Sequence, residues 1–178
     1  EVPELQGHRG APGAPAGVTS RAPERAGPDG GCAGEARRRA EAGWSVVPLH
    51  SATGGRCSCA RPDCPSPGKH PRVRWTGAMT EAAPAGDVAA WWQRWPGANL
   101  GVATGRVSGI VVLDVDPRSG GETALEELQA RWGPLPVTVE ARTGGGGRHL
   151  YFAAPSDPVP SAVLAPGVEL KGEGGLAV

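Results

Sequence analysis

The sequence predicts an α+β domain with a metal-binding loop set into it. Three observations lead there. Short runs of branched and apolar residues, the strongest being Gly109-Ile-Val-Val-Leu-Asp-Val-Asp-Pro117, read as strands. Between them lie helical segments with apolar residues at i, i+3, i+4 and i+7. Residues 54–71 are almost all turn formers, yet they carry three cysteines and a histidine. With 178 residues the chain has one domain's worth of length, and 29 glycines with 19 prolines imply long irregular stretches around a modest core. Formal net charge is zero, so no global basic field announces nucleic acid, although local patches remain open. No apolar run reaches the length of a membrane span and no signal-peptide core is present, so a soluble, cytoplasmic protein with reduced thiols is expected. The first residue is glutamate, which suggests a fragment of a longer protein.

Residues 1–31, rich in Gly, Pro, Ala and Arg, lack apolar periodicity and are expected to be disordered. The folded part is expected over 35–178. A short basic helix runs from Glu35 to Ala42 and stops at Gly43; Trp44 to Leu49 is a first strand. Asp87 to Trp95 is a helix whose Val88, Trp91, Trp92 and Trp95 form one stripe, expected to pack on a sheet rather than to stack on bases. Asn99 to Gly105 is a short strand or turn, 109–116 a strand, and Ser119 to Trp132 a helix closed by Gly133-Pro134. Val137 to Arg142 and His149 to Ala153 are strands joined through four glycines. Gly167 to Lys171 is a last strand, with Leu176 to Val178 beginning its hairpin return.

Residues i and i+2 of a strand share a face and lie about 6.5–7 Å apart. Asp114 and Asp116 therefore project together, and two like charges at that spacing need a cation or several donors. A hard divalent ion such as Mg²⁺ or Mn²⁺, held by carboxylates and substrate phosphates, meets that need. An Asp-Pro turn with a strand-end cap explains the same residues without a metal. The run Gly144-Gly-Gly-Gly147 before Arg148 and His149 lets backbone N–H groups approach an anion, with the two side chains as phosphate contacts; a hairpin with a glycine turn is the plainer reading. Glu169 could add a third carboxylate, or lie on a solvated face beside Lys171.

Cys57, Cys59, Cys64 and His70 form the pattern C-x-C-x4-C-x5-H. Three thiolates and an imidazole in a loop too short to hold a core make a tetrahedral zinc set. All four positions filled leaves none open, which favours a structural or nucleic-acid-clamping ion. His50 is an alternative ligand, and Cys32 is expected to be a free thiol in the disordered arm.

Taken in order, six stretches resemble the N-terminal domain of bifunctional DNA primase/polymerases (prim–pol), in the archaeo-eukaryotic primase superfamily. They are Gly43–Leu49, Pro67–Pro71, Trp91–Gly105, Val111–Pro117, Gly146–Phe152 and Gly167–Gly172. The resemblance runs from about Ala36 to Val178. It implies an RRM-like antiparallel or mixed sheet with flanking helices, and nucleotide polymerisation with two divalent ions. By match to the family's motifs, Asp114, Asp116 and Glu169 are the implied catalytic metal ligands for Mg²⁺ or Mn²⁺. His149 is the implied nucleotide-holding histidine, with Arg148 and Lys171 as nucleotide contacts. The chain departs from the family pattern at Glu169, where aspartate is frequent, at Lys171, where arginine is common, and at Leu176, where tyrosine is common. It also stops before the prolines that usually follow, so the catalytic domain is expected to be truncated and a downstream helicase portion absent.

The activity implied is attack of a 3′-hydroxyl on the α-phosphate of a nucleoside triphosphate, directed by a single-stranded DNA template. Arg61, Lys69, Arg72 and Arg74, around the zinc loop, are candidates for the template backbone. Two other classes compete: a non-catalytic zinc-bearing nucleic-acid-binding module, and a Mn²⁺-dependent glycosyltransferase with an Asp-x-Asp strand end. The latter leaves the Cys/His loop and the Gly-Gly-Arg-His run without a role.

Overall fold

A computed structural model describes residues 31–74 and 80–178. The disorder expected for residues 1–31 falls, save for Gly31, outside the described residues. The elements are α1 (Cys32–Glu41), β1 (Val46–Leu49), β2 (Ala52–Thr53), β3 (Arg56–Cys57), α2 (Ala85–Arg94), β4 (Asn99–Ala103) and β5 (Ile110–Val115). A 3₁₀ turn (Pro117–Ser119) leads into α3 (Gly121–Trp132), followed by β6 (Val139–Arg142), β7 (Arg148–Ala153), β8 (Ala162–Ala165), β9 (Val168–Lys171) and β10 (Leu176–Ala177). Among the described residues no helix is long and apolar enough to cross a membrane.

β5 is the axis of the molecule. It lies at the centre of a five-stranded sheet of order β6-β7-β5-β9-β8, in which every ladder is antiparallel. Because side chains alternate along a strand, its apolar residues divide between two cores. Leu113 and Val115 face α3 and pack with Ala124, Leu125, Leu150 and Val168. Ile110 and Val112 face the other way, into a core shared with Ala36 of α1, Val88 and Trp92 of α2, Val46, Val102 and Ala177. That second core also holds the three-stranded sheet of order β1-β4-β10. A strand buried on both faces reads as a continuous apolar run, which is why 110–113 carries no polar residue.

The tryptophan stripe of α2 packs as expected: Val88 and Trp92 are buried in the second core, with Trp91 and Trp95 against it. The Trp92 indole N–H donates to the carbonyl of Ala98 at 3.3 Å, so its one polar atom is satisfied inside the core. Three expectations need correction. α1 begins at Cys32, so this thiol sits on the first turn of a helix rather than in a disordered arm. Residues 176–177 do not return along β9; they pair with Val102 and Ala103 of β4 and so join the other sheet. β8 is an additional edge strand, exposed along most of its length and set among prolines.

The junction after β5 is backbone against backbone. Asp116 N–H donates to Gly167 O at 2.8 Å, and Gly121 N–H donates to Asp116 O at 3.0 Å. A Cβ on Gly121 would collide with the Gly167 carbonyl and with the backbone of Asp116, whereas one on Gly86 in α2 would meet nothing within 4 Å. Gly121→Ala is therefore expected to lower stability by about 1–3 kcal/mol through overpacking, while Gly86→Ala is neutral or stabilising by up to about 1 kcal/mol. Urea unfolding of the two variants checks this, and equal effects would contradict it.

Candidate active site and metal centre

Register brings the acidic and histidine side chains together. Asp114 on β5 is directly opposite His149 on β7 and, on its other side, Glu169 on β9. Residues opposite one another in antiparallel ladders point to the same face, with Cβ atoms about 4.5–5.5 Å apart. Three strands thus place carboxylate, carboxylate and imidazole in one row. His149 is buried, and its Nε2 lies 3.5 Å from Asp114 Oδ1. Lys171, two residues from Glu169 and so on the same face, pairs with Glu169 and lies 3.9 Å from Asp114 Oδ2. The His149 contact and the nearby charges of Lys171 and Lys69 hold the Asp114 carboxyl below its ordinary value, against the opposing effect of burial.

Asp116 stands just past the strand end. Its Oδ1 accepts from the Arg118 backbone N–H at 3.0 Å, capping the 3₁₀ turn, while the Arg118 guanidinium binds both carboxylate oxygens at 3.0 and 2.9 Å. These contacts lower its pKa too. The residue that caps the turn also lines a cavity. That cavity, of about 850 Å³, is walled by Asp114, Asp116, Arg118, His149, Lys171 and Lys69, and by Thr143, Gly144, Gly145 and Gly147 of the β6–β7 turn.

The glycine run is a hairpin turn and a cavity wall together. Thr143 N–H donates to Gly147 O at 2.8 Å and closes the turn. A Cβ on Gly147 would come 2.5 Å from the Val115 carbonyl, so only glycine lets the turn lie against the end of β5. Arg148, next to His149 in sequence, is not brought to the cavity. Alternation turns it to the α3 face, where it binds Glu122 at 3.0 and 2.6 Å and Glu140 at 3.3 Å. Glu169 shares Asp114's face, but its carboxylate is turned to Lys171 and does not line the cavity.

Among the described residues, the one group of three or more His, Cys, Asp or Glu side chains whose ligand atoms converge within 4.8 Å is Cys57, Cys59, Cys64 and His70. The β2–β3 hairpin delivers Cys57, with Ala52 opposite it. The chain then turns back through Ala60, at φ 61°. The loop's exit is fastened to β1: His50 N–H donates to His70 O at 2.9 Å and Arg72 N–H to Pro48 O at 2.8 Å. Burial opposes ionisation of Cys57, but hydrogen bonds, including one from Gly68 N–H at 3.5 Å, bring its thiol down to about 7. A thiolate-favouring donor of this kind is an outer-shell feature of thiolate metal sites. The donor set fits zinc: four soft and borderline ligands, mutually close, with no fifth position. His50 is not one of the four. Its ring stacks on His70 at 4.4 Å and its Nδ1 pairs with Ser58 Oγ at 2.9 Å.

Two of the four cations considered for template contact have defined surroundings. Arg72 binds Leu49 O at 3.1 Å and Ser58 Oγ at 2.6 Å and lies over the Trp95 ring. Lys69 turns to the cavity. Sequence reasoning missed Arg118 and the Thr143 wall; the i+2 placement of Arg118 after an aspartate that caps a turn is the signal that points to it. It also missed the Arg39–Trp44–Tyr151 stack, with Trp44 and Tyr151 ring centroids 5.7 Å apart and Arg39 4.4 Å from Trp44, which backs His149 edge-on.

The fold is mixed α+β with antiparallel sheets, an acidic row beside a histidine, and a Cys/His cluster that could hold a metal ion. The family model for the N-terminal domain of bifunctional DNA primase/polymerases matches residues 36–178, and the chain belongs to that family. Among curated proteins no match is found.

Two measurements check these placements. Freshly purified protein is expected to hold about one zinc ion per chain, and Cys57→Ser/Cys64→Ser to lose it together with the protection of residues 52–71 from proteolysis; full zinc in the double variant would contradict the ligand set. Arg148→Ala is expected to cost about 1 kcal/mol in stability while leaving nucleotide affinity unchanged. A nucleotide affinity that falls with stability intact would return Arg148 to the site.

Proposed function

We propose that this domain is a template-directed nucleotidyltransferase, a DNA primase/polymerase that joins nucleoside triphosphates to a 3′-hydroxyl on single-stranded DNA. The observation that carries the reading is the register of Asp114 with both His149 and Glu169, beside Asp116 and a cavity of suitable size for one nucleotide. The central antiparallel sheet, with α3 on one face, also supports the RRM-like primase type of fold.

Asp114 and Asp116 face the cavity as anions and offer the hard oxygen donors that Mg²⁺ or Mn²⁺ requires. Glu169 becomes a third donor when its side chain rotates from Lys171 toward Asp114, a change of rotamer within one row of the sheet. Two divalent ions bound there would lower the pKa of the attacking hydroxyl and neutralise charge on the departing pyrophosphate. His149 orients the Asp114 carboxylate and borders the nucleotide. Lys171, released from Glu169, and Arg118, released from Asp116, supply positive charge to the triphosphate. The closed Cys/His site has a structural role.

Primer extension and de novo primer synthesis with Mn²⁺ or Mg²⁺ test the proposal. Asp114→Ala and Asp116→Ala are each expected to lower kcat by roughly a hundredfold or more, and Glu169→Gln to weaken metal-dependent turnover while single-stranded DNA binding persists. Extension that survives Asp114→Ala/Asp116→Ala would overturn the assignment. DNA binding without any extension by the wild-type protein would identify a non-catalytic nucleic-acid-binding module instead.

A further inference from the structure

The loop that carries the four zinc-type ligands is also a wall of the cavity. Pro67, Gly68 and Lys69 line it together with Asp114, Asp116 and His149. Gly68 is fixed from two directions: its N–H reaches Cys57 Sγ at 3.5 Å, and its carbonyl accepts from Asn99 Nδ2 at 3.0 Å. His70, the ligand on the far side of Lys69, is tied through its carbonyl to His50 N–H at 2.9 Å. Lys69 is thus held between one residue bonded to a cysteine sulfur and another that is itself a ligand.

The cations around this cavity differ in what they already hold. Arg118 is bound to Asp116, and Lys171 to Glu169 with Asp114 close by. Lys69 makes no ion pair within 4 Å among the described residues; the residue is exposed and lines the cavity. Its charge nevertheless acts on both Asp114 and Asp116. A cation left without a carboxylate partner, yet within electrostatic reach of the two carboxylates that would hold the ions, is placed for an anion bound next to those ions.

We infer that Lys69 is a nucleotide-binding residue: held beside the ligand His70 at the exit of the Cys/His loop, it contacts the triphosphate of the incoming nucleotide, so that occupancy of the zinc site sets nucleotide affinity. The inference rests on the nucleotidyltransferase reading and adds to it a contact made from outside the catalytic sheet. A triphosphate and a template backbone offer the same phosphate chemistry. The cavity decides between them, because about 850 Å³ suits a single small ligand, and because the Lys69 charge falls on the carboxylates rather than along an outer surface.

Three quantities test it: KM and kcat for deoxynucleotide in primer extension, the Kd of a non-hydrolysable nucleoside triphosphate with Mg²⁺ by calorimetry, and the Kd for single-stranded DNA over a range of salt. Lys69→Ala is expected to raise nucleotide KM and Kd about tenfold, as loss of one charge-assisted phosphate contact does, with kcat, DNA affinity and its salt slope unchanged. Lys69→Arg should recover most of the loss. Cys64→Ser, which breaks the cluster without touching Lys69, should raise the calorimetric nucleotide Kd in the same direction. An unchanged nucleotide Kd in Lys69→Ala, with weaker DNA binding and a shallower salt slope, would make Lys69 a template contact and overturn the inference while leaving the polymerase reading intact. A raised Kd in Lys69→Ala but not in Cys64→Ser would overturn the coupling to the zinc site. A wild-type protein that neither binds nucleotide nor extends a primer would overturn both readings.

Discussion

The pairing of β5 with a strand on each side is the constraint on which the site depends. It sets Asp114 opposite His149 and Glu169 at once. A slip of one residue in either ladder would send the corresponding side chain to the α3 face. The apolar residues of the same strand oppose such a slip, since Val112 and Val115, on opposite faces, are both fully buried in different cores. Packing that has nothing to do with chemistry thus fixes the geometry of the chemistry.

The site also shows how a cluster of carboxylates is tolerated. Each acidic side chain has a basic one: His149 and Lys171 for Asp114, Arg118 for Asp116, Lys171 for Glu169. The contacts around Asp114 and Asp116 hold those two carboxyls below their ordinary values. Lys171 is shared between Asp114 and Glu169.

Much of this was legible in the sequence, because it is local. Period-two alternation put Asp114 and Asp116 on one face, period 3.6 put Val88 and Trp92 in the core, and ligand spacing found the Cys/His set. The same alternation separates Arg148 from His149, since neighbours in a strand point to opposite faces; proximity in sequence suggested a shared ligand, whereas the pleat turns Arg148 to Glu122 and Glu140. Glu169 and Lys171 share a face by the same rule, and their mutual pairing follows from it. What could not be read was non-local. β8 has exposed side chains and flanking prolines, so it carries no apolar pattern, and the choice of β4 as partner for β10 depends on where two sheets meet. Cys32 heads a helix whose first residues have no capping side chain to mark the start.

That last crossing has a bearing on how the molecule is assembled. β10 leaves the five-stranded sheet after β9 and lies down beside β4, with Ala177 opposite Val102. Its alanine side chain then enters the core that β5 shares with α1 and α2. The three-stranded sheet consequently includes residues that follow the larger one in the chain, at a sequence separation that makes the contact entropically late. The two sheets therefore share one core, and Ala177 supports β5 from the face opposite α3.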